Sequence, residues 1–340
     1  MKSKLEVSKE LSKEIEENYS FHIKSIKQLK GGFANFNFQL NTSKGSYFLR
    51  IHDLISDINS IKQEHKLINF LVKNNFKTAK INLTKTNDTC FTFKKKVIAL
   101  FDWIDGKPID KIDLNIITQV AKTLAQYHKI VKNFKEDVPK WGLSIKQTTK
   151  ETIGHQIIGF VDIIFEDMPW ERSAYNLLEE RENMNDYEIY MIEVKPFLQK
   201  IRENIIELHN KINFKEKPII IHGDYWENNL LFKKGKLVGV IDFDTARASP
   251  AKMELIKGAL EFSEFDNLDM FKKFINEYKK ENLVKISEDE IELYVQLMIM
   301  WQIGQSFKTP ILNNKNLTKK RFQNIKKLIH CLKEINKYSK

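Results

Sequence analysis

Residues 219 to 250 read IIIHGDYWENNLLFKKGKLVGVIDFDTARASP, and this stretch decides the fold. Three apolar runs, Pro218 to Ile221, Leu230 to Phe232 and Leu237 to Ile241, predict short buried strands. Lys233-Lys234-Gly235 between the last two is a hairpin signal. The strands frame polar residues at a defined spacing: Asp224 and Asn229 lie five apart, and Asp242 follows the third strand. Side chains at strand ends stand on rigid backbone, where reacting groups are best held.

The residue types point to one chemistry. An attacking hydroxyl needs a carboxylate within hydrogen-bond reach to accept its proton, which makes Asp224 the expected catalytic base. Magnesium is a hard cation that takes oxygen ligands, and Asn229 and Asp242 are the expected metal ligands. His222 reads as a structural residue that orders the loop backbone, with no share in proton transfer.

His222-Gly223-Asp224, Asn229 and Asp242-Phe243-Asp244 repeat the spacing of a protein kinase catalytic loop and metal triplet. The segment most resembles the aminoglycoside phosphotransferase and choline kinase superfamily, whose loop reads His-Gly-Asp, four residues, Asn, then Ile-Asp-Phe or Ile-Asp-Trp. The resemblance implies an α+β, protein-kinase-like fold with a β-rich N-terminal nucleotide lobe over residues 1–104. A helical C-terminal catalytic and substrate lobe would cover 105–340. It also implies ATP, with GTP as the alternative, together with Mg2+. Tyr225-Trp226 after the Asp, and Leu230-Leu231-Phe232 after the Asn, are similar to the homoserine-kinase-like branch.

Upstream, a helical pattern over Glu6 to Tyr19 precedes strand patterns at Ile23 to Leu29, Phe36 to Leu40 and Tyr47 to Ile51, with Lys44-Gly45 as a turn. Gly31-Gly32 lies where a phosphate-covering loop belongs, because glycine lets backbone N–H groups approach phosphate; an ordinary hairpin turn uses the same residues. The third strand departs from the family's habit, offering Arg50 where Lys is usual to grip the α- and β-phosphates. Arg is permanently charged and bidentate, so it is no simple substitute. Glu64, on a helix pattern with Leu67, Phe70 and Leu71, is either its ion-pair partner by analogy or a surface charge.

The apolar run Val97 to Ile104 breaks at Asp105-Gly106-Lys107-Pro108. By position it resembles the hinge between kinase lobes, where backbone groups around Phe101 to Trp103 would meet the nucleobase. A helix is expected over Leu114 to His128, and two long helices over Thr149 to Asn213 broken near Met168-Pro169-Trp170. Everything after Ser249-Pro250 reads as helical. Within that tail Glu254, Glu261, Glu264, Asp266 and Asp269 collect in a basic chain, and Glu261 and Glu264 are expected to meet an ammonium group on the acceptor.

Composition sets the outer bounds. The chain has 340 residues, 42% hydrophobic and 11% aromatic, enough for two cores and too apolar for disorder. Cys90 and Cys331 have no metal or redox spacing, which predicts free thiols and a reducing, cytoplasmic setting. Met1-Lys2-Ser3-Lys4 opens no apolar signal core, and no membrane span or membrane partner is expected. The net charge of +11 is spread along the chain, not gathered in a stripe, so a nucleic-acid partner is not expected. The oligomeric state has no signature.

Two competitors remain. A protein kinase would carry Arg at the Gly223 position and a longer segment after Thr245, so the acceptor is expected to be a small molecule. A catalytically silent, kinase-like binding or coat protein would have no need of Asp224, Asn229 and Asp242 together, and only Arg50 speaks for it.

Overall fold

The computed structural model describes residues 7–29, 35–52, 57–136, 159, 161–162, 164–166, 172–212, 217–313, 315–335 and 338. Its backbone clusters into two compact units that alternate along the chain. The first holds Met1–Lys111, Gln126–Ser144 and Ile220–Ala248, and the second Ile112–Ala125, Ile145–Ile219 and Ser249–Lys340.

In the first unit, helix α1 (Lys9–Tyr19) begins at Ser8, whose hydroxyl accepts from Leu11 N at 3.1 Å, an N-cap that satisfies an otherwise orphan donor. Its Leu11, Ile15 and Tyr19 face a core with Phe38, Leu40 and Leu49, the helical spacing finding the alternating face of a sheet. That sheet is antiparallel in the order β1 (Ile23–Gln28), β2 (Asn35–Thr42), β3 (Gly45–His52), β6 (Lys96–Asp102), β4 (Ile81–Asn82), with β5 (Phe91–Phe93) also paired to β6. The expected Lys44-Gly45 turn closes β2 on β3 with Thr42 opposite Gly45. Helix α2 (Ile58–Lys73) is capped by the Asp57 side chain and buries Ile61, Glu64, Leu67 and Leu71 on one face. Gly31, Gly32 and the start of the expected first helix lie outside the described residues.

The deciding stretch also belongs to this unit from Ile220 onward. β7 (Ile219–Ile221) pairs with β10 (Arg247–Ser249), and β8 (Leu230–Lys233) pairs with β9 (Lys236–Val240). Lys234 at φ 50° and Gly235 at φ 71° turn the β8–β9 hairpin. Two successive positive φ values are what a type I′ turn requires, and its twist matches that of the flanking strands.

In the second unit, α4 (Ala174–Glu179) and α5 (Asp186–Lys211) are followed by α6 (Ala251–Phe262), α7 (Leu268–Glu281), α8 (Glu288–Leu312) and α9 (Lys319–Lys333). The tail expected to be helical is thus a series of helices with defined caps, and the 168–170 break lies outside the described residues. α5 and α8 both start with a capping box, Asn185 with Glu188 and Ser287 with Glu290. Buried Glu188 goes further, accepting from Arg181 Nη1 at 2.7 Å and from Leu317 N at 3.2 Å. Phe262 stacks on Phe274 at 5.8 Å, joining α6 to α7. Helix α3 (Leu114–Val131) starts in the second unit and ends in the first. Among the described residues no helix is long and apolar enough to cross a membrane.

Candidate active site

The site grows from the bend between β7 and the short 3₁₀ turn Glu227–Asn229. Gly223 has φ 83°, and a Cβ there would stand 2.4 Å from both the Thr245 carbonyl oxygen and Arg247 Nη1. Only glycine fits the angle and the gap. Arg247 therefore fills the hollow beside the loop, donating to Thr245 O at 3.2 Å, while Thr245 Oγ1 donates to His222 O at 3.1 Å.

His222 is fully buried and acts on backbone: Asp224 N donates to its Nδ1 at 3.3 Å, and its Nε2 lies 3.0 Å from Ile241 O. An Nδ1 that accepts leaves the proton on Nε2, which donates to Ile241. The ring packs on Phe243 at 4.7 Å and is flanked by Tyr127 and Tyr225. One imidazole thus ties the 222–224 loop to the end of the strand that leads to Asp242.

Asp224, half-buried, is fixed by two donors. Asn229 Nδ2 reaches its Oδ2 at 2.8 Å and its carbonyl oxygen at 2.8 Å, and Trp226 Nε1 reaches Oδ2 at 3.1 Å. These bonds settle the amide orientation, since the nitrogen is committed to Asp224 and the oxygen Oδ1 is the end that could meet a cation. Asp242 has φ 69°, a left-handed conformation that aspartate tolerates better than most residues. The bend turns its carboxylate toward β3.

Arg50 meets it there. Nη2 lies 3.0 Å from Asp242 Oδ1 and Nη1 3.4 Å from Glu64 Oε1, and the Arg50 and Glu64 side chains are 6% and 1% exposed against 32% for Asp242. Burial works against the guanidinium charge, but the carboxylates of Asp242, Glu64 and Asp244 outweigh it and hold its pKa above the ordinary value. The ring of Phe48 lies under the guanidinium at 5.6 Å.

A cavity of about 150 Å³ opens beside this cluster, with Arg50, Glu64 and Asp242 at its polar end and Leu29, Ile68, Ala79 and Leu231 among its apolar walls. Phe101 and Trp103 both line it. Phe101 lies opposite Phe48 on one side and Ile81 on the other, so its backbone faces neighbouring strands. Trp103 lies past the strand end and is the better placed of the two to offer backbone groups to a base edge.

Asp224, Asn229, Asp242, Arg50, Glu64, Phe101 and Trp103 therefore lie in one compact unit. Glu261 and Glu264 belong to the other: Glu261 accepts from Gln302 Nε2 at 2.8 Å, and Glu264 is exposed at φ 52° after α6. Asp244, Thr245, Arg247 and Trp226 complete the first cluster, and only the last three went unremarked in the motif. Among the described residues no three His, Cys, Asp or Glu side chains gather as a metal-binding group. A magnesium ion would fit here through Asp242, the Asn229 amide oxygen and oxygens from phosphate and water, the sparse protein coordination that this cation accepts.

Comparison with known proteins agrees with this geometry. A model of the phosphotransferase enzyme family matches residues 25–275. Spectinomycin phosphotransferase, solved with ADP and spectinomycin, is 15% identical, with 96% of this chain and 98% of that one covered at a TM-score of 0.71. An aminoglycoside phosphotransferase from Alicyclobacillus acidocaldarius is 12% identical over 99% and 96% of the two chains, also at 0.71. An amicoumacin kinase, solved with AMP-PNP, Ca2+ and Ami, is 13% identical over 95% and 91% at 0.63. Identities this low establish the shared α+β, protein-kinase-like fold. No curated protein is similar enough to count as a match.

Proposed function

This chain belongs to the phosphotransferase enzyme family, a small-molecule kinase by fold and family, and from that premise we propose that it transfers the γ-phosphate of ATP to a hydroxyl of a small, amine-bearing acceptor. The observation that carries the proposal is the joint fixing of Asp224 and Asn229 by one amide nitrogen in the unit that also holds Arg50, Glu64 and Asp242. Phosphoryl transfer asks little covalent chemistry of a protein, and positioning with charge compensation is what such a cluster supplies.

In this reading Asp224 accepts the acceptor's proton, its carboxylate held in one rotamer by Asn229 and Trp226. Asn229 and Asp242 hold Mg2+, which when bound neutralises charge on the phosphate oxygens. Arg50, paired with Glu64, supplies positive charge at the phosphate end; Gly31 and Gly32 cover the phosphates; and Phe101 and Trp103 border the base. Residues 1–104 serve the nucleotide and 105–340 catalysis and acceptor. Glu261 and Glu264 answer an ammonium group, as on homoserine, an amino alcohol or an aminoglycoside; spectinomycin and Ami, held by two similar structures, make antibiotic-like acceptors part of that range. GTP is the alternative nucleotide, and the two free, buried thiols suit a cytoplasmic setting.

A nucleotide-turnover screen against amino alcohols, homoserine-like amino acids, neutral sugars and aminoglycosides tests this. The expected result is Mg2+-dependent ADP release with an amine-bearing acceptor. Absence of both nucleotide binding and turnover would leave the silent binding or coat protein as the reading.

A further inference from the structure

The guanidinium of Arg50 already occupies the carboxylate that the metal needs. Its Nη2 lies 3.0 Å from Asp242 Oδ1, and the pair is coupled through Nη1 to Glu64. Asp244 adds a third carboxylate to the charge that Arg50 balances. Arg50 is almost wholly buried, so this counter-ion cannot be replaced by water at low cost. A divalent cation arriving alone would have to bind beside a fixed positive charge at hydrogen-bond distance from its own ligand. A phosphate chain changes that balance, because its oxygens can take the guanidinium and add ligands to the cation in the same event.

We infer that Arg50 is an internal competitor of the metal ion: it shuts Asp242 to free divalent cation and admits the ion only together with a nucleotide's phosphates. The inference rests on the phosphotransferase reading and deepens it by setting an order of binding. Arg50 suits the task better than Lys, since its fork reaches two carboxylates on separate elements and its charge persists at any working pH.

Mn2+, read as free ion by electron paramagnetic resonance, is the probe. The full chain is titrated with Mn2+ alone and with ADP present, after correction for Mn2+–ADP in solution, and thermal denaturation checks that each variant is folded. Wild-type protein should take up Mn2+ at least about tenfold more weakly without ADP than with it. Arg50→Met, and as a milder second variant Arg50→Gln, should bind Mn2+ without ADP at least about tenfold more tightly than wild type, whereas Arg50→Lys, which keeps the charge, should stay within about threefold. A folded charge-free variant that binds Mn2+ alone no more tightly than wild type overturns the inference. So does a wild-type protein that binds Mn2+ equally well with and without ADP. If wild type binds no ADP under either condition, the phosphotransferase reading falls instead, and the metal-only titrations still report on Arg50.

Discussion

At the scale of single residues, the site divides into groups that react and groups that hold them. Asp224→Ala removes the proposed base, and turnover should fall by roughly 10² to 10⁴ with nucleotide affinity nearly unchanged; steady-state kinetics beside a nucleotide-binding titration decide this, and near wild-type turnover would exclude Asp224. Asp242→Ala should abolish the Mg2+ dependence of nucleotide binding, and Asn229→Ala should weaken it while also freeing the Asp224 carboxylate. Unchanged Mg2+ titrations in both variants would exclude them as ligands. Gly223→Ala is different in kind, because its added methyl would stand 2.4 Å from a carbonyl oxygen that cannot swing away. The strain should cost about 1–3 kcal/mol, visible as a lowered melting temperature together with lost turnover. The motif named Asp224, Asn229 and Asp242 from spacing alone. It could not name Arg247, whose place in the Gly223 hollow is set by β10 returning to β7, a contact with no local signature.

Among the elements, legibility followed length and periodicity. The Lys233–Gly235 hairpin, the three early strands and the α3 helix carried period-two or helical patterns long enough to read. β4, β5 and β10 have two or three residues each, too few to show any period, and they exist because a neighbouring strand offers them hydrogen bonds. The helical tail was legible as helix but not as four helices, since the breaks depend on caps such as Asn267 and Ser287 that look like ordinary polar residues in sequence. Those caps have measurable worth. Ser287→Ala should lower stability by about 1 kcal/mol. Glu290→Ala should cost more, because Glu290 also takes Lys252 Nζ at 2.6 Å. Chemical denaturation of the two variants checks the order, and an equal or reversed loss would contradict it.

For the whole molecule, the surplus of 56 basic over 45 acidic residues makes the carboxylates on and after α6 the exception to its surface. If they answer an acceptor's ammonium, a Glu261→Gln plus Glu264→Gln variant should raise the acceptor KM while leaving the nucleotide KM in place, by about tenfold if each contact is worth a typical charge-assisted hydrogen bond. Equal efficiency on a neutral sugar and its amino analogue would argue the other way. The two thiols give an independent check on packing. Cys90 and Cys331 are both buried, and burial pushes each pKa up, so at neutral pH both stay protonated and unreactive. A thiol reagent should label neither in the native protein and both in denaturant.

The Arg50–Asp242 pair joins residues 192 positions apart, and that separation bears on how the protein is made. A ribosome adding about 5–20 residues per second exposes β3 and α2 some ten to forty seconds before Asp242 leaves the tunnel. Throughout that interval the guanidinium has Glu64 as its partner, and the cavity wall that Leu231 and Phe243 will supply does not exist. The N-terminal sheet can therefore collapse on its own core during translation, but the catalytic centre is assembled late, by a segment that must find a surface already folded. Synonymous codon changes that slow translation between α2 and β9 lengthen this exposed stage, and the yield of active enzyme from a living cell becomes a property of tempo as well as of sequence.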